Sequence, residues 1–177
     1  MNIAVYLGSL SGNDPVCEKT AAELGTWFAR HNHTLVYGGS SVGTMYTLAK
    51  SAHDSGAEVI GVMPRFMIDS GRGADFLNTL FVTETMAERR EKMIELADGF
   101  IALPGGPGTL DEVSEVISNM RLGLLDAYVV IMNVNGYYDG LKSQFERMIQ
   151  DGFYSKEEMK KIVFVDDVSA LDEIFGR

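Results

Sequence analysis

The chain is short of several features that would have directed its reading elsewhere. It has one cysteine, Cys17, so an internal disulfide framework and a thiolate metal set are both excluded. Basic residues are few: 15 Lys and Arg stand against 25 Asp and Glu, a net charge of −10. That balance argues against broad binding to nucleic acid or to an anionic membrane, while leaving room for a local basic pocket. No apolar run approaches the ~20 residues that span a bilayer. The opening M-N-I-A-V-Y-L-G-S reads as a strand rather than a secretory leader, so a cytoplasmic location is expected. Nucleotide fingerprints are missing too. The first turn reads G-S-L-S-G-N rather than G-x-G-x-x-G, and no G-x-x-x-x-G-K-[ST] occurs. Dinucleotide hydride transfer and a Walker-type phosphate loop are therefore disfavoured. There is no G-x-S-x-G nucleophile elbow. His31, His33 and His53 lack metal-ligand spacing and read as surface or structural residues, so no metal site is expected.

What is present is an ordinary globular composition, 46% hydrophobic and 23% charged over 177 residues. One domain spanning 1–177 is the expectation. Short continuous apolar runs at 3–7, 34–37, 58–63, 80–83, 100–103, 128–133 and 162–165 read as buried strands. Helical spacing fills 16–30, a stretch after the second strand to about 55, 85–96, a stretch to about 122, 141–150 and 169–175. Asp14 with Pro15 is a helix start, and Trp27 reads as a core residue. Residues 64–78 show little periodicity and read as an irregular, mobile loop. Continuous apolar strands alternating with helices predict a doubly wound parallel sheet with helices on both faces, an α/β class. Such sheets bind ligands at the carboxyl ends of their strands.

The most informative stretch is F-I-A-L-P-G-G-P-G-T-L-D-E-V-S-E at 100–115. It reads as a strand, then a glycine turn of Gly105, Gly106 and Gly108, then a helix start with acids just inside it. Such a turn can bring backbone N–H groups to an anion at the positive end of a helix. The G-G-S-S-V-G turn at 38–43 reads either as a second anion nest or as a tight turn without a ligand. Arg89 and Arg90 lie on a charged helix, where a solvated face competes with a guanidinium bent into the crevice. Glu112 and Glu115, one helical turn apart, share a side. They serve either as favourable charge near a helix N-terminus or as a carboxylate pair beside a sugar whose glycosidic bond is cleaved.

The motifs taken together resemble the Lonely Guy (LOG) family of cytokinin riboside 5′-monophosphate phosphoribohydrolases. P-G-G-P-G-T-L-D-E at 104–112 is similar to that family's P-G-G-x-G-T-x-x-E signature, and M-A-E-R-R-E-K-M at 86–93 to its M-x-x-R-K-x-x-M helix. Y-G-G-S-S-V-G-T-M at 37–45, G-S-L-S-G at 8–12 and N-G-Y-Y-D at 135–139 also resemble family segments. The resemblance implies a Rossmann-like homodimer that hydrolyses the N-glycosidic bond of a nucleoside 5′-monophosphate, AMP or N6-substituted AMP, without metal or organic cofactor. It assigns catalysis to Arg89 and Glu112. It assigns substrate binding to Gly8, Ser9, Gly38, Gly39, Gly43, Met86, Arg90, Pro104, Gly105, Gly106, Gly108, Thr109 and Glu115, with Met86 near the base. The family's W-x-Q-L-G-I-H-x-K-P stretch, which helps shape the base end and the dimer contact, is replaced by N-M-R-L-G-L-L-D-A-Y at 119–128. A non-catalytic nucleotide-binding module on the same fold is the alternative. A lysine decarboxylase would need a lysine in a pyridoxal-phosphate site, for which no motif is present.

Overall fold

The structure is a computed structural model and describes residues 1–176. Its strands are β1 (Asn2–Tyr6), β2 (Thr34–Tyr37), β3 (Val59–Pro64), β4 (Thr79–Thr83), β5 (Gly99–Ala102), β6 (Val129–Met132) and β7 (Ile162–Val165). They form one sheet in the order β4-β3-β2-β1-β5-β6-β7, and every neighbouring pair is parallel. The helices are α1 (Pro15–Arg30), α2 (Gly43–Asp54), α3 (Arg65–Asp69), α4 (Met86–Leu96), α5 (Pro107–Arg121), α6 (Asp139–Gln150) and α7 (Leu171–Phe175).

Alternation along each strand splits the core into two layers. Ile3, Val5 and Leu7 face one side with Leu24, Trp27 and Phe28 of α1, Leu48 of α2 and Phe175 of α7. Ala4 and Tyr6 face the other with Met93 of α4, Val113 and Val116 of α5, and Phe145 of α6. Both faces are thus apolar, and this is why the strands read as continuous hydrophobic runs. The chain winds outward from β1 to β4, then returns beside β1 as β5. The crevice at that reversal lies beyond Tyr6 and Ala102, where Gly8 donates its N–H to the Pro104 carbonyl at 3.3 Å.

Residues 64–78, expected as an irregular loop, carry more regular structure: Pro64 ends β3, Arg65–Asp69 form α3, and the segment after it is tied to the β2–α2 turn. Ser41 N–H donates to Arg72 O and Ala74 N–H to Gly39 O, each at 2.9 Å, and Ser40 pairs with Gly73 in an antiparallel bridge. These partners come from a distant part of the chain, so local periodicity carried no sign of them. Residues 169–175 are also shorter in helix than read, with a 3₁₀ turn at Val168–Ala170 before α7. The histidines take structural places: His33 shares a hydrogen bond with Phe175 O at 2.9 Å, and His31 one with Trp27 O at 3.0 Å. Among the described residues no helix is long and apolar enough to cross a membrane.

Candidate active site

The crevice is a cavity of about 930 Å³. Its walls come from the loop after β1, the β2–α2 turn, the start of α4 and the start of α5. At its floor lies an ion pair. Arg89, 5% exposed, sits one turn from Met93 on the buried face of α4, and Glu112, 6% exposed, lies on the buried face of α5. Arg89 Nη1 donates to Glu112 Oε1 at 2.6 Å, and Arg89 Nε donates to the Val62 carbonyl at 3.1 Å. Removing the carboxylate would leave a buried guanidinium without its counter-charge, which costs about 3–5 kcal/mol in comparable pairs. Of the two readings of the arginine helix, the structure supports the inward one for Arg89.

Burial pushes the Glu112 carboxyl above its ordinary range, and Arg89 pulls it back only in part. Tyr6 packs beneath the pair, and burial, with a further contribution from Glu112, pushes its hydroxyl far up, so it stays neutral. Arg90 is bound outside the floor: its Nε donates to Glu115 Oε2 at 2.5 Å, and its Nη1 lies 3.2 Å from Asp111 Oδ2.

The glycine turn presents donors to the cavity and hides its acceptors. The Leu103 and Gly105 carbonyls accept from the Tyr138 and Tyr137 hydroxyls, at 2.7 and 2.6 Å. The Pro104 carbonyl accepts from Gly8 N–H, and the Gly106 carbonyl from Thr109 and Leu110 N–H. Residues 104 and 107 are prolines and have no N–H. The N–H groups of Gly105, Gly106 and Gly108 have no acceptor among the described residues. Gly106 caps α5 without a side-chain bond. A Cβ on Gly106 or Gly108 would meet nothing within 4 Å, so a ligand can approach the backbone closely there. Open donors at a helix N-terminus, with every nearby carbonyl occupied, are suited to a phosphate.

The β2–α2 turn serves packing. Gly39 and Gly43 hold positive φ, and a Cβ on Gly43 would come 2.4 Å from Ser9 O. Gly38 makes room for the guanidinium: a Cβ there would lie 2.3 Å from Arg89 Nη2. The sequence-derived residues Gly8, Ser9, Gly38, Met86, Arg89, Arg90, Pro104, Gly105, Gly106, Gly108, Thr109 and Glu112 all border the cavity. Gly39, Gly43 and Glu115 stand behind it, as supports for the turn and for Arg90. The structure adds Met67 from α3, Arg72 from the tied segment after it, and Tyr137. Tyr137 could have been suspected from N-G-Y-Y-D. Arg72 carried no sequence signal.

Comparison with known proteins follows the same line. A family model described as possible lysine decarboxylase matches residues 45–174. The cytokinin riboside 5′-monophosphate phosphoribohydrolase LOG1 of Arabidopsis thaliana is 38% identical over 169 residues, 96% of this chain and 79% of the relative. LOG2 of the same plant, with the same activity in its name, is 36% identical over 169 residues, again 96% and 79%. The chain belongs to the Lonely Guy family. Among solved structures, the molybdenum cofactor binding protein of Rippkaea orientalis matches with a TM-score of 0.73 at 20% identity, over 99% of this chain and 94% of that one. The Moco carrier protein of Chlamydomonas reinhardtii matches at 0.73 and 21% identity, over 98% and 94%. These likenesses show a shared Rossmann-like α/β fold. The decarboxylase wording of the family description does not fit this Lonely Guy cavity, whose lining contains no lysine to hold pyridoxal phosphate.

Proposed function

We propose that the protein hydrolyses the N-glycosidic bond of a nucleoside 5′-monophosphate, AMP or N6-substituted AMP, to free base and ribose 5-phosphate. The observation that carries this reading is the buried Arg89–Glu112 pair set on the same cavity as the open donors of Gly105, Gly106 and Gly108. Relatives named for this reaction, similar over most of the chain, support it. The donors and the α5 N-terminus hold the 5′-phosphate, which places the ribose over the pair. The C1′–N bond breaks with its electron pair leaving to the base. Water adds at C1′ and one of its protons ends on the base nitrogen. Glu112 faces the positive charge that develops on the ribose and orients the water. Arg89 keeps Glu112 in place and offsets its charge. Met86, which borders the cavity, stands near the base in this reading.

Homodimerisation, implied by the resemblance, belongs to this reading. The 119–128 segment lies at the far end of α5, whose 15 residues span about 22 Å from the glycine turn. None of its residues borders the cavity of its own protomer. Any part it plays at the base end must therefore be played across a dimer contact, for which Leu122 and Leu124 are exposed. Purified protein incubated with AMP and with N6-substituted AMP, followed by chromatography, tests the activity. Equimolar base and ribose 5-phosphate are expected. Tight nucleotide binding with no release from either substrate would favour the non-catalytic module.

A further inference from the structure

The N-G-Y-Y-D segment takes no part in the chemistry above, yet it is built with care. After β6 the chain makes a 3₁₀ turn at Val134–Gly136, with Asn135 at φ 50° and Gly136 at φ 72°. Asn133 secures it: its Oδ1 accepts from Tyr138 N–H at 2.7 Å, and its Nδ2 donates to Asp139 Oδ1 at 2.8 Å. Asn135 Nδ2 donates to Asp14 Oδ2 at 2.9 Å, which fastens the turn to the start of α1. The outcome is a fixed pair of tyrosine rings, centroids 5.0 Å apart and perpendicular, with both hydroxyls aimed at carbonyls of the glycine turn. Tyr138 is buried. Tyr137 is 55% exposed and borders the cavity.

We propose that Tyr137 is a positioning residue for the substrate's 5′-phosphate: its hydroxyl holds the Gly105 carbonyl and thereby sets the Gly106 N–H for the anion. This role of Tyr137 follows from peptide geometry and rests on the function proposed above. In a trans peptide the C=O and the following N–H point in opposite directions, and this chain has no cis bond among its described residues. Drawing the Gly105 oxygen toward Tyr137 therefore turns the Gly106 N–H away from it. Without that bond the glycine peptide, which no side chain restrains, is free to rotate and bring its oxygen toward the phosphate. Tyr138 acts two peptides earlier, on the Leu103 carbonyl. The residue after Leu103 is Pro104, which has no N–H, so its bond orients the chain but sets no donor.

This difference makes the two tyrosines separable. Calorimetry with ribose 5-phosphate reads phosphate binding without any need for turnover, and thermal melting reads stability. Tyr137→Phe is expected to weaken ribose 5-phosphate binding about 10-fold with a small change in melting temperature. Tyr138→Phe, at the buried site, is expected to melt lower yet bind more nearly as wild type. In steady state Tyr137→Phe raises KM for AMP about 10-fold with kcat within about 2-fold. Unchanged ribose 5-phosphate affinity in Tyr137→Phe, or affinity losses that follow the stability losses of the two variants, would overturn the proposal. So would a wild type that does not bind ribose 5-phosphate. A wild type that binds it, loses it on Tyr137→Phe and releases no base overturns the hydrolase reading and leaves this one standing.

Discussion

Arg89 and Glu112 meet inside the protein at 2.6 Å, and their environment makes predictions that their identity does not. Burial raises the Glu112 carboxyl above the ordinary 4.5, and the Arg89 guanidinium is the largest influence lowering it. Titration of ¹³C-labelled glutamate carboxyls should therefore show Glu112 ionising above 4.5, and higher still in Arg89→Gln. A midpoint that stays or falls in that variant would contradict the pairing. With the carboxylate as the working form, as proposed above, turnover should be lost as pH falls through that raised value. Gly38 gives a second test at this scale. Its φ is not in the left-handed region, so alanine is not strained there, but its Cβ would displace the end of Arg89. Because that guanidinium is buried in its pair with Glu112, moving it aside strains the pair. Gly38→Ala should thus lower kcat about 10²-fold and also lower the urea midpoint. Wild-type kcat and midpoint in Gly38→Ala would mean that Gly38 does not make room for Arg89.

Among the elements, α7 packs on one face of the sheet at the start of β5, the end away from the cavity. Phe175 lies over Gly99 of β5, where a Cβ would come within 2.6 Å of its ring, and Trp27 Nε1 donates to Asp172 at 2.7 Å. Phe175→Ala should cost about 3–5 kcal/mol in denaturant unfolding. A loss under about 1 kcal/mol would mean that α7 is peripheral. The sheet class and most helix positions were legible in the sequence because both faces of the sheet are buried and the helix starts carry caps such as Asp14 and Thr85. The glycine turn was legible for a similar reason, since Pro, Gly and helix spacing are local signals. The 64–78 segment was not, because it is ordered by Gly39 and Ser41, far away in the chain. Nor could spacing on α4 tell Arg89 from Arg90. Adjacent residues on a helix point about 100° apart, and both arginines reach carboxylates of α5; the packing of α4 on the sheet, with the Val62 carbonyl and the space at Gly38, turns Arg89 inward. Of the 38–43 turn, Gly38, Ser40 and Val42 border the cavity, while Gly39 and Gly43 lie behind it and serve the turn.

The whole molecule brings three sequence-distant turns to one edge of a sheet and leaves Leu122 and Leu124 exposed at the other end of α5. If those leucines lie in a homodimer contact, sedimentation equilibrium of the wild type shows a dimer, and Leu124→Asp shifts it toward monomer. A wild type that is monomeric at micromolar concentration would remove the dimer from the account. The activity itself stands on a single comparison. Free base and ribose 5-phosphate released from AMP are measured for wild type and Glu112→Gln under the same conditions. Release by the wild type is expected, with a loss of about 10²-fold or more in the variant and nucleotide still bound. Release by the variant at the wild-type rate, or none by either protein, would contradict the proposed hydrolysis at Glu112.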